Sequence, residues 1–534
     1  MTVLLSIATF LVNEVLSRPA CLIGLITAAG LIALRKPVGQ IVGGALKATL
    51  GFLLIGAGAT LVVGALGPLG GMIQGATGAQ GVIPANEAIV GIAQERFGAR
   101  VAWLMILGFA VALLLARFTP LRYVFLTGHH ILFMATLLTM VLSAAGQPAP
   151  VVIAVGAVLL GILLVAMPAF AHPWTKRVTG DNSIAIGHFG TAGYILAGAT
   201  GRLVGRRSRS TEERKLPEGL RFLRDSMVAT ALSMALIYVV MALVYLANAG
   251  RSTAFKAFAT ATGGEGAARD LGNYLMQSVM QGLQFGIAVA VILFGVRTIL
   301  GELVPAFQGI AGKLVPGAVP ALDAPIVFPY AQNAVLIGFL ASFTGGLTGL
   351  ALLAWVVHPA FGLALVLPGL VPHFFTGGAA GVYGNATGRR RGAIVGAFLN
   401  GVLITFLPAL LLTALGAFGK ANTTFGDADF GWFGTLIGYA AKVGPGGGAV
   451  AMVVIGVGVL VGAILFQRRV VERGWDPGAG RAAAGPATGE STDAGGAGAR
   501  GVLPHRRHPK IAPPVGAPAP PPPAGDGPHD HMAK

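Results

Sequence analysis

Apolar residues run along this chain in blocks of about twenty, separated by short polar or basic breaks, as far as residue 467. A hydrocarbon core roughly 30 Å thick requires about 20 apolar residues per helical crossing. Blocks of that kind fall near 20–34, 41–66, 100–116, 122–143, 149–171, 226–247, 275–296, 333–357, 361–384, 392–418 and 447–467. The pattern predicts an all-α polytopic membrane protein with about eleven transmembrane helices. Three further stretches, near 68–92, 174–201 and 304–331, are too broken by Gly and Pro for a plain helix, yet too apolar for a solvated loop. Irregular backbone at membrane depth persists only where protein buries it or where it lines a cavity. These three are therefore expected to be re-entrant hairpins around a bound solute.

Composition agrees with the pattern. Hydrophobic residues make up 54% of the chain and charged residues 11%, where a soluble domain carries roughly 25% charged. The formal charge of +17 would suggest nucleic acid in a soluble protein. Here the cations sit in short clusters between apolar blocks: Arg35-Lys36, Arg117 with Arg122, Arg202 to Lys215, Arg389-Arg390-Arg391 and Arg468-Arg469. They read as cytoplasmic loop charges, and no nucleic-acid partner is expected. Placing every cluster inside leaves an even number of crossings between successive clusters. The N-terminus is then outside and the C-terminus cytoplasmic, with Arg96 and Arg100 in weak dissent. The first residues, MTVLLSIATF, lack a basic n-region and an A-x-A site, so a cleaved leader is not expected. Residues 1–470 are expected to be membrane-embedded. Residues 471–534, low in complexity and rich in Pro, Gly and Ala, are expected to be a disordered cytoplasmic tail. The tail histidines at 505, 508, 529 and 531 are read as bystanders, and Cys21 gets no redox or metal role.

An internal repeat points to a site. Gly81-Val82-Ile83-Pro84-Ala85-Asn86-Glu87-Ala88 and Gly317-Ala318-Val319-Pro320-Ala321-Leu322-Asp323-Ala324 share glycine, proline, alanine, a carboxylate and a second alanine in register. The spans before them start on opposite sides, so the two units enter from opposite faces. That is an inverted repeat, the arrangement that puts a solute near the midplane between broken helices. Ionisable residues in membrane segments are functional candidates by default. They are Glu87, His129, His130, His188, Asp323, Glu302 and His373. The repeat favours Glu87 and Asp323. His129 and His188 each follow a glycine beside a suspected break. His130 could instead face another helix, and Glu302 and His373 read as structural. P-loop, G-x-S-x-G, H-E-x-x-H and paired-Cys motifs are all missing, so the chain reads as a pathway rather than an enzyme, with no cofactor expected.

At these residues the sequence resembles the ascorbate-type enzyme IIC permeases of the bacterial phosphoenolpyruvate-dependent sugar phosphotransferase system, over roughly residues 10–465. The resemblance is carried by Leu34-Arg35-Lys36, Phe125-Leu126-Thr127-Gly128-His129 and Ile184-Ala185-Ile186-Gly187-His188. It continues in Ala306-Phe307-Gln308-Gly309-Ile310, Leu314-Val315-Pro316-Gly317-Ala318-Val319, Asn333-Ala334-Val335 and Gly338-Phe339. It implies a homodimer in the inner membrane, each subunit with a substrate-binding core that moves elevator-fashion against a dimerisation domain. It also implies import of ascorbate or a related polyhydroxylated or acidic solute, phosphorylated on arrival by a separate enzyme IIB that enzyme IIA recharges. Carried over by position, the implied solute ligands are Asn86, Glu87, His129, His130, Ile131, Leu132, Phe133, His188, Phe189 and Asp323. The chain departs from the pattern at Asn86-Glu87, where the family has Thr-Tyr, and at Phe133 and Phe189, where it has glutamines. The alternative is a proton-coupled secondary transporter on the same scaffold, working through Glu87 or His129. An intramembrane enzyme would need a nucleophile or metal constellation that the sequence lacks.

Overall fold

A computed structural model describes residues 19–205, 208–213, 226–259 and 266–478. The expected tail from 479 onward and part of the Arg202 to Lys215 cluster lie outside the described residues. The described residues are helical, with six very short strands set among them. Helix α1 (Pro19–Ala33) precedes α2 (Val38–Thr77), which stops where Gly78 turns left-handed at φ 71°. Then come β1 (Gly81–Pro84), α3 (Asn86–Phe118), β2 (Tyr123–Phe125), α4 (Gly128–Ala144), α5 (Ala149–Thr179), β3 (Ala185–Ile186) and α6 (Thr191–Val204). Helix α7 (Ser226–Ala249) opens the second half. It is followed by α8 (Leu271–Leu314), β4 (Val319–Leu322), α9 (Gln332–Phe361), β5 (Leu365–Val366), α10 (Leu370–Leu412), β6 (Thr423–Thr424) and α11 (Ala428–Ala441). Helix α10 is two rods joined at Arg389, whose φ of 55° and ψ of −145° are not helical. Helix α12 (Pro445–Phe466) ends the bundle.

Both halves thus run helix, helix, strand, helix, strand, two helices, strand, helix. The repeated Gly-x-x-Pro unit supplies the first strand of each. Those strands trade places. β1 lies between β5 and β6, and β4 lies between β2 and β3, all parallel. Register is fixed by pairs such as Val82 with Val366 and Ile83 with Thr423, and Phe125 and Ala185 flanking Ala321. Each half completes the other's sheet.

Among the described residues, eight helical stretches are long and apolar enough to cross a bilayer, with α1 and α4 as shorter apolar helices. Two expected crossings begin later than their hydropathy suggested. The 122–143 block opens with β2 and turns helical only at Gly128. The 361–384 block opens with β5 and turns helical at Leu370. An aromatic or β-branched apolar run looks the same to a hydropathy window whether it is strand or helix. The three suspected hairpins are short breaks between helices, at 78–85, 180–190 and 315–331. Helix α11 falls between the expected crossings 392–418 and 447–467, where no element was predicted.

The helices fall into two groups. α1, α2, α7 and α8 pack mainly on one another, and the remaining helices gather around the sheets. In the first group α2 and α8 cross through glycines. A Cβ added at Gly51 would meet Gly295 O at 2.7 Å, and one at Gly295 would meet Gly51 O at 2.5 Å. Small residues that let backbones touch are how helices associate in lipid, where tails are as apolar as leucine. The packed chain also runs beyond 470. Trp475 meets Trp174 edge-on at 5.5 Å between ring centres, and Asp476 Oδ2 accepts a hydrogen bond from Arg177 Nη1 at 3.1 Å. The Gly/Pro-rich context had concealed Trp475 as an anchor.

Candidate functional site

Every strand ends by handing the chain to the start of a helical turn. β1 leads to α3, β2 to α4, β3 to α6, β5 to α10 and β6 to α11, while β4 leads to a 3-10 turn, Ala324–Tyr330. The first N–H groups of a helix have no partner within it and carry partial positive charge. Five of these six starts contribute lining residues to a single cavity of about 250 Å³: Asn86, His129, Asp323, Leu370 and Asp427. His188, just ahead of α6, lines it too. The opposite wall comes from α7 and α8, through Thr230, Ser233, Phe285, Val289 and Arg297. The cavity therefore lies between the two helix groups.

Asp323 is the N-cap of its turn, with Oδ1 accepting from Ala324 N at 2.8 Å. Its Oδ2 stands 3.4 Å from His129 Nε2, and its Oδ1 stands 3.9 Å from His188 Nε2. The first is a long contact and the second is beyond hydrogen-bond reach. Asp323 and His129 are open to the cavity, with side chains 38% and 33% exposed, whereas His188 is 5% exposed. The chemistry of His188 follows from its other nitrogen. Nδ1 accepts the Gly190 N–H at 3.0 Å, and the Tyr194 hydroxyl lies 2.9 Å away. A backbone N–H can only donate, so the neutral ring carries its proton on Nε2, facing Asp323 and the cavity. His130 Nδ1 accepts from Phe189 N at 3.4 Å in the same way, and its ring centre is 3.9 Å from that of His188.

Asn86 is a clasp. Its Nδ2 donates to Asp427 Oδ2 at 2.8 Å, and its Oδ1 accepts from Gly426 N at 2.8 Å. One side chain thus ties the start of α3 to the start of α11. Asp429 makes the matching tie to α6, accepting from Thr191 N at 2.8 Å and Ala192 N at 3.1 Å. Its own backbone N donates to Phe189 O at 2.9 Å.

Of the ten expected ligands, Asn86, Glu87, His129, His130, Phe133, His188 and Asp323 line the cavity. Ile131, Leu132 and Phe189 do not. On a helix the face of 129, 130 and 133 excludes 131 and 132. Ile131 and Leu132 are buried among apolar neighbours, and the Phe189 ring stacks on Phe125 at 5.2 Å. Both residues read as structural are so placed: Glu302 pairs with Lys47 at 2.9 Å, and His373 Nδ1 lies 2.9 Å from Ser342 Oγ. Sequence reasoning missed Asp427 and Arg297. Asp427 follows β6 in Phe425-Gly426-Asp427, much as His188 follows β3 in Ile186-Gly187-His188. Arg297 is a lone arginine in an apolar block, which should have flagged it.

Two sets of donors are spaced to hold a metal ion: His129, His130 and Asp323, and His130, His188 and Asp427, with atoms within 4.8 Å of one another. The tautomers oppose this use. With Nδ1 of His130 and His188 accepting backbone N–H groups, their Nε2 atoms present protons rather than lone pairs. N–H donors beside carboxylate acceptors suit a solute rich in oxygen.

The chain matches the family profile of the PTS system sugar-specific permease component, EIIC-GAT, over residues 14–429, and belongs to that family. It is also similar to the ascorbate-specific PTS system EIIC component of Mycoplasma pneumoniae, with 28% identity over 441 residues. That match covers 74% of this chain and spans 65% of the relative's length.

Proposed function

We propose that this chain is the membrane permease of a phosphotransferase system, importing ascorbate or a close polyhydroxylated, acidic relative. A separate enzyme IIB, recharged by enzyme IIA, phosphorylates the solute on arrival. The observation that carries this reading is the meeting of His129, His188 and Asp323 at one cavity, beside helix starts interrupted at the strands. Family membership and the ascorbate-specific relative support it. In this reading Asp323 accepts from solute hydroxyls, His188 donates through Nε2, and His129 and the Asn86–Asp427 clasp shape the pocket. The two halves insert in opposite senses, and the exchange of β1 and β4 is what holds them together.

The sheet-centred group carries the site and slides, elevator-fashion, against α1, α2, α7 and α8 in a homodimer within the bacterial inner membrane. The C-terminal segment is cytoplasmic, and the permease portion extends to about residue 478 where Trp475 and Asp476 dock. Glu87 and Asp427 in the same cavity also suit proton coupling, the second reading. One measurement separates them. Cells expressing the permease with its IIB and IIA partners should accumulate phosphorylated solute, and accumulation of unmodified solute under a proton gradient would favour the second.

A further inference from the structure

The wall of the cavity opposite the strands carries a single cation. Arg297 sits on α8 within Leu271–Glu302, a stretch apolar enough to span a membrane. Such a charge is costly in hydrocarbon unless it is paired, hydrated or turned toward a cavity. Glu302 in the same stretch is taken by Lys47 at 2.9 Å. Arg297 makes no hydrogen bond or ion pair among the described residues, and it is the only Lys or Arg lining the cavity. Glu87 and His129 line the same cavity. The same lining carries three carboxylates, Glu87, Asp323 and Asp427. An anionic solute would meet repulsion from whichever of these is ionised, with helix N-termini and Arg297 to offset it.

We propose that Arg297 is the charge-selecting residue of the site, its guanidinium taking the acidic oxygens of an anionic solute from the wall opposite Asp323 and His188. A planar fork of N–H donors fits a carboxylate or a delocalised enolate better than any other side chain does. The hydroxyl end of the solute then lies toward Asp323 and the Nε2–H of His188. Because Arg297 belongs to the helix group across the cavity, it reads the solute from outside the element set that holds the other ligands. This deepens the permease reading and rests on it.

The test is binding to purified protein in lipid nanodiscs by titration calorimetry, with no enzyme IIB present. The probes are L-ascorbate and two matched pairs, L-threonate with L-threitol and D-gluconate with D-glucitol. Wild type should bind at least one acid, and prefer it to its uncharged alcohol. Arg297→Gln should weaken that acid at least tenfold while leaving the alcohol within about threefold, and Arg297→Lys should keep part of the acid affinity. The Glu87→Gln/Arg297→Gln double variant should remain defective toward the acid. Wild-type affinity in that double variant would mean that Arg297 only neutralises Glu87, which overturns the proposal. So would unchanged acid binding in Arg297→Gln, equal loss of acid and alcohol, or a wild type that binds no acid. The permease reading fails separately, on the absence of phosphorylated product in cells.

Discussion

Asp323→Asn isolates one negative charge with little change of shape. The asparagine oxygen can still accept from Ala324 N, the cap that Asp323 makes at 2.8 Å. What disappears is the charged acceptor standing 3.4 Å from His129 Nε2 and 3.9 Å from His188 Nε2. Neither contact is a short hydrogen bond, so lone pairs of the carboxylate are expected to serve solute hydroxyls. A hydrogen bond to a charged group contributes about 1.5–3 kcal/mol, so the affinity should fall roughly tenfold to 150-fold. Asp323→Ala supplies the control, because it removes both charge and cap. It should lose as much binding and about 1 kcal/mol of stability besides, the usual cost of a lost N-cap. Binding is read by calorimetry on detergent-purified protein, and stability by thermal unfolding of the same samples. Binding by Asp323→Asn within twofold of wild type, with wild type itself binding, would refute the assignment.

His188→Ala and His129→Ala should each abolish measurable solute binding while the protein stays monodisperse. Unchanged affinity in both would make them core histidines. Tyr194→Phe removes one of two donors to His188 Nδ1 and should weaken binding only mildly, by about 0.5–1.5 kcal/mol in the same titration. Asn86→Ala leaves Gly426 N and Asp427 without partners, so it should lower stability by about 1–3 kcal/mol in thermal unfolding; an unchanged melting profile would contradict the clasp. Truncation after Gly478 should leave uptake near wild type, whereas truncation after Arg473 removes Trp475 and Asp476 and should reduce the folded yield in membranes.

Long elements were legible in the sequence because length and hydropathy define them. The blocks that became α2, α3, α5, α8 and α12 needed no tertiary information. The Gly-x-x-Pro unit was legible too, since a shared proline and acid stand out in a Gly/Ala-rich chain. What stayed hidden was short. β3, β5 and β6 have two residues each, too few for any alternation to register, and they exist because β1 and β4 run between them. Asp427 went unseen because it lies between the expected crossings 392–418 and 447–467, outside every apolar block. Ile131 and Leu132 entered the expected ligand set as members of a contiguous run, although a helix presents only part of such a run to one side.

The exchanged strands bear on why so many ionisable groups are tolerated here. Each carboxylate in the cavity belongs to the opening of a helical turn: Glu87 to the first turn of α3, Asp323 to the cap before Ala324 and Asp427 to the cap position of α11. There a negative charge faces the positive end of a peptide dipole, an arrangement that contributes about 0.3–1 kcal/mol per site and more where water is scarce. Because β1 and β4 each sit inside the other half's sheet, Glu87 and Asp323 arrive beside partners supplied by the other half of the chain: Asp427 by way of Asn86, and His129 and His188. Two of the departures, Glu87 and Phe133, fall in this cavity, while Phe189 packs on Phe125 away from it. Of the two rings that stand where the resembled family has amides, Phe133 alone lines the cavity, and Glu87 adds a carboxyl group to the same lining as Arg297. A pocket altered that way depends less on neutral hydrogen bonds and more on charge, so its selectivity should fall steeply with ionic strength if Glu87 and Arg297 are hydrated, and hardly at all if the solute seals them from water.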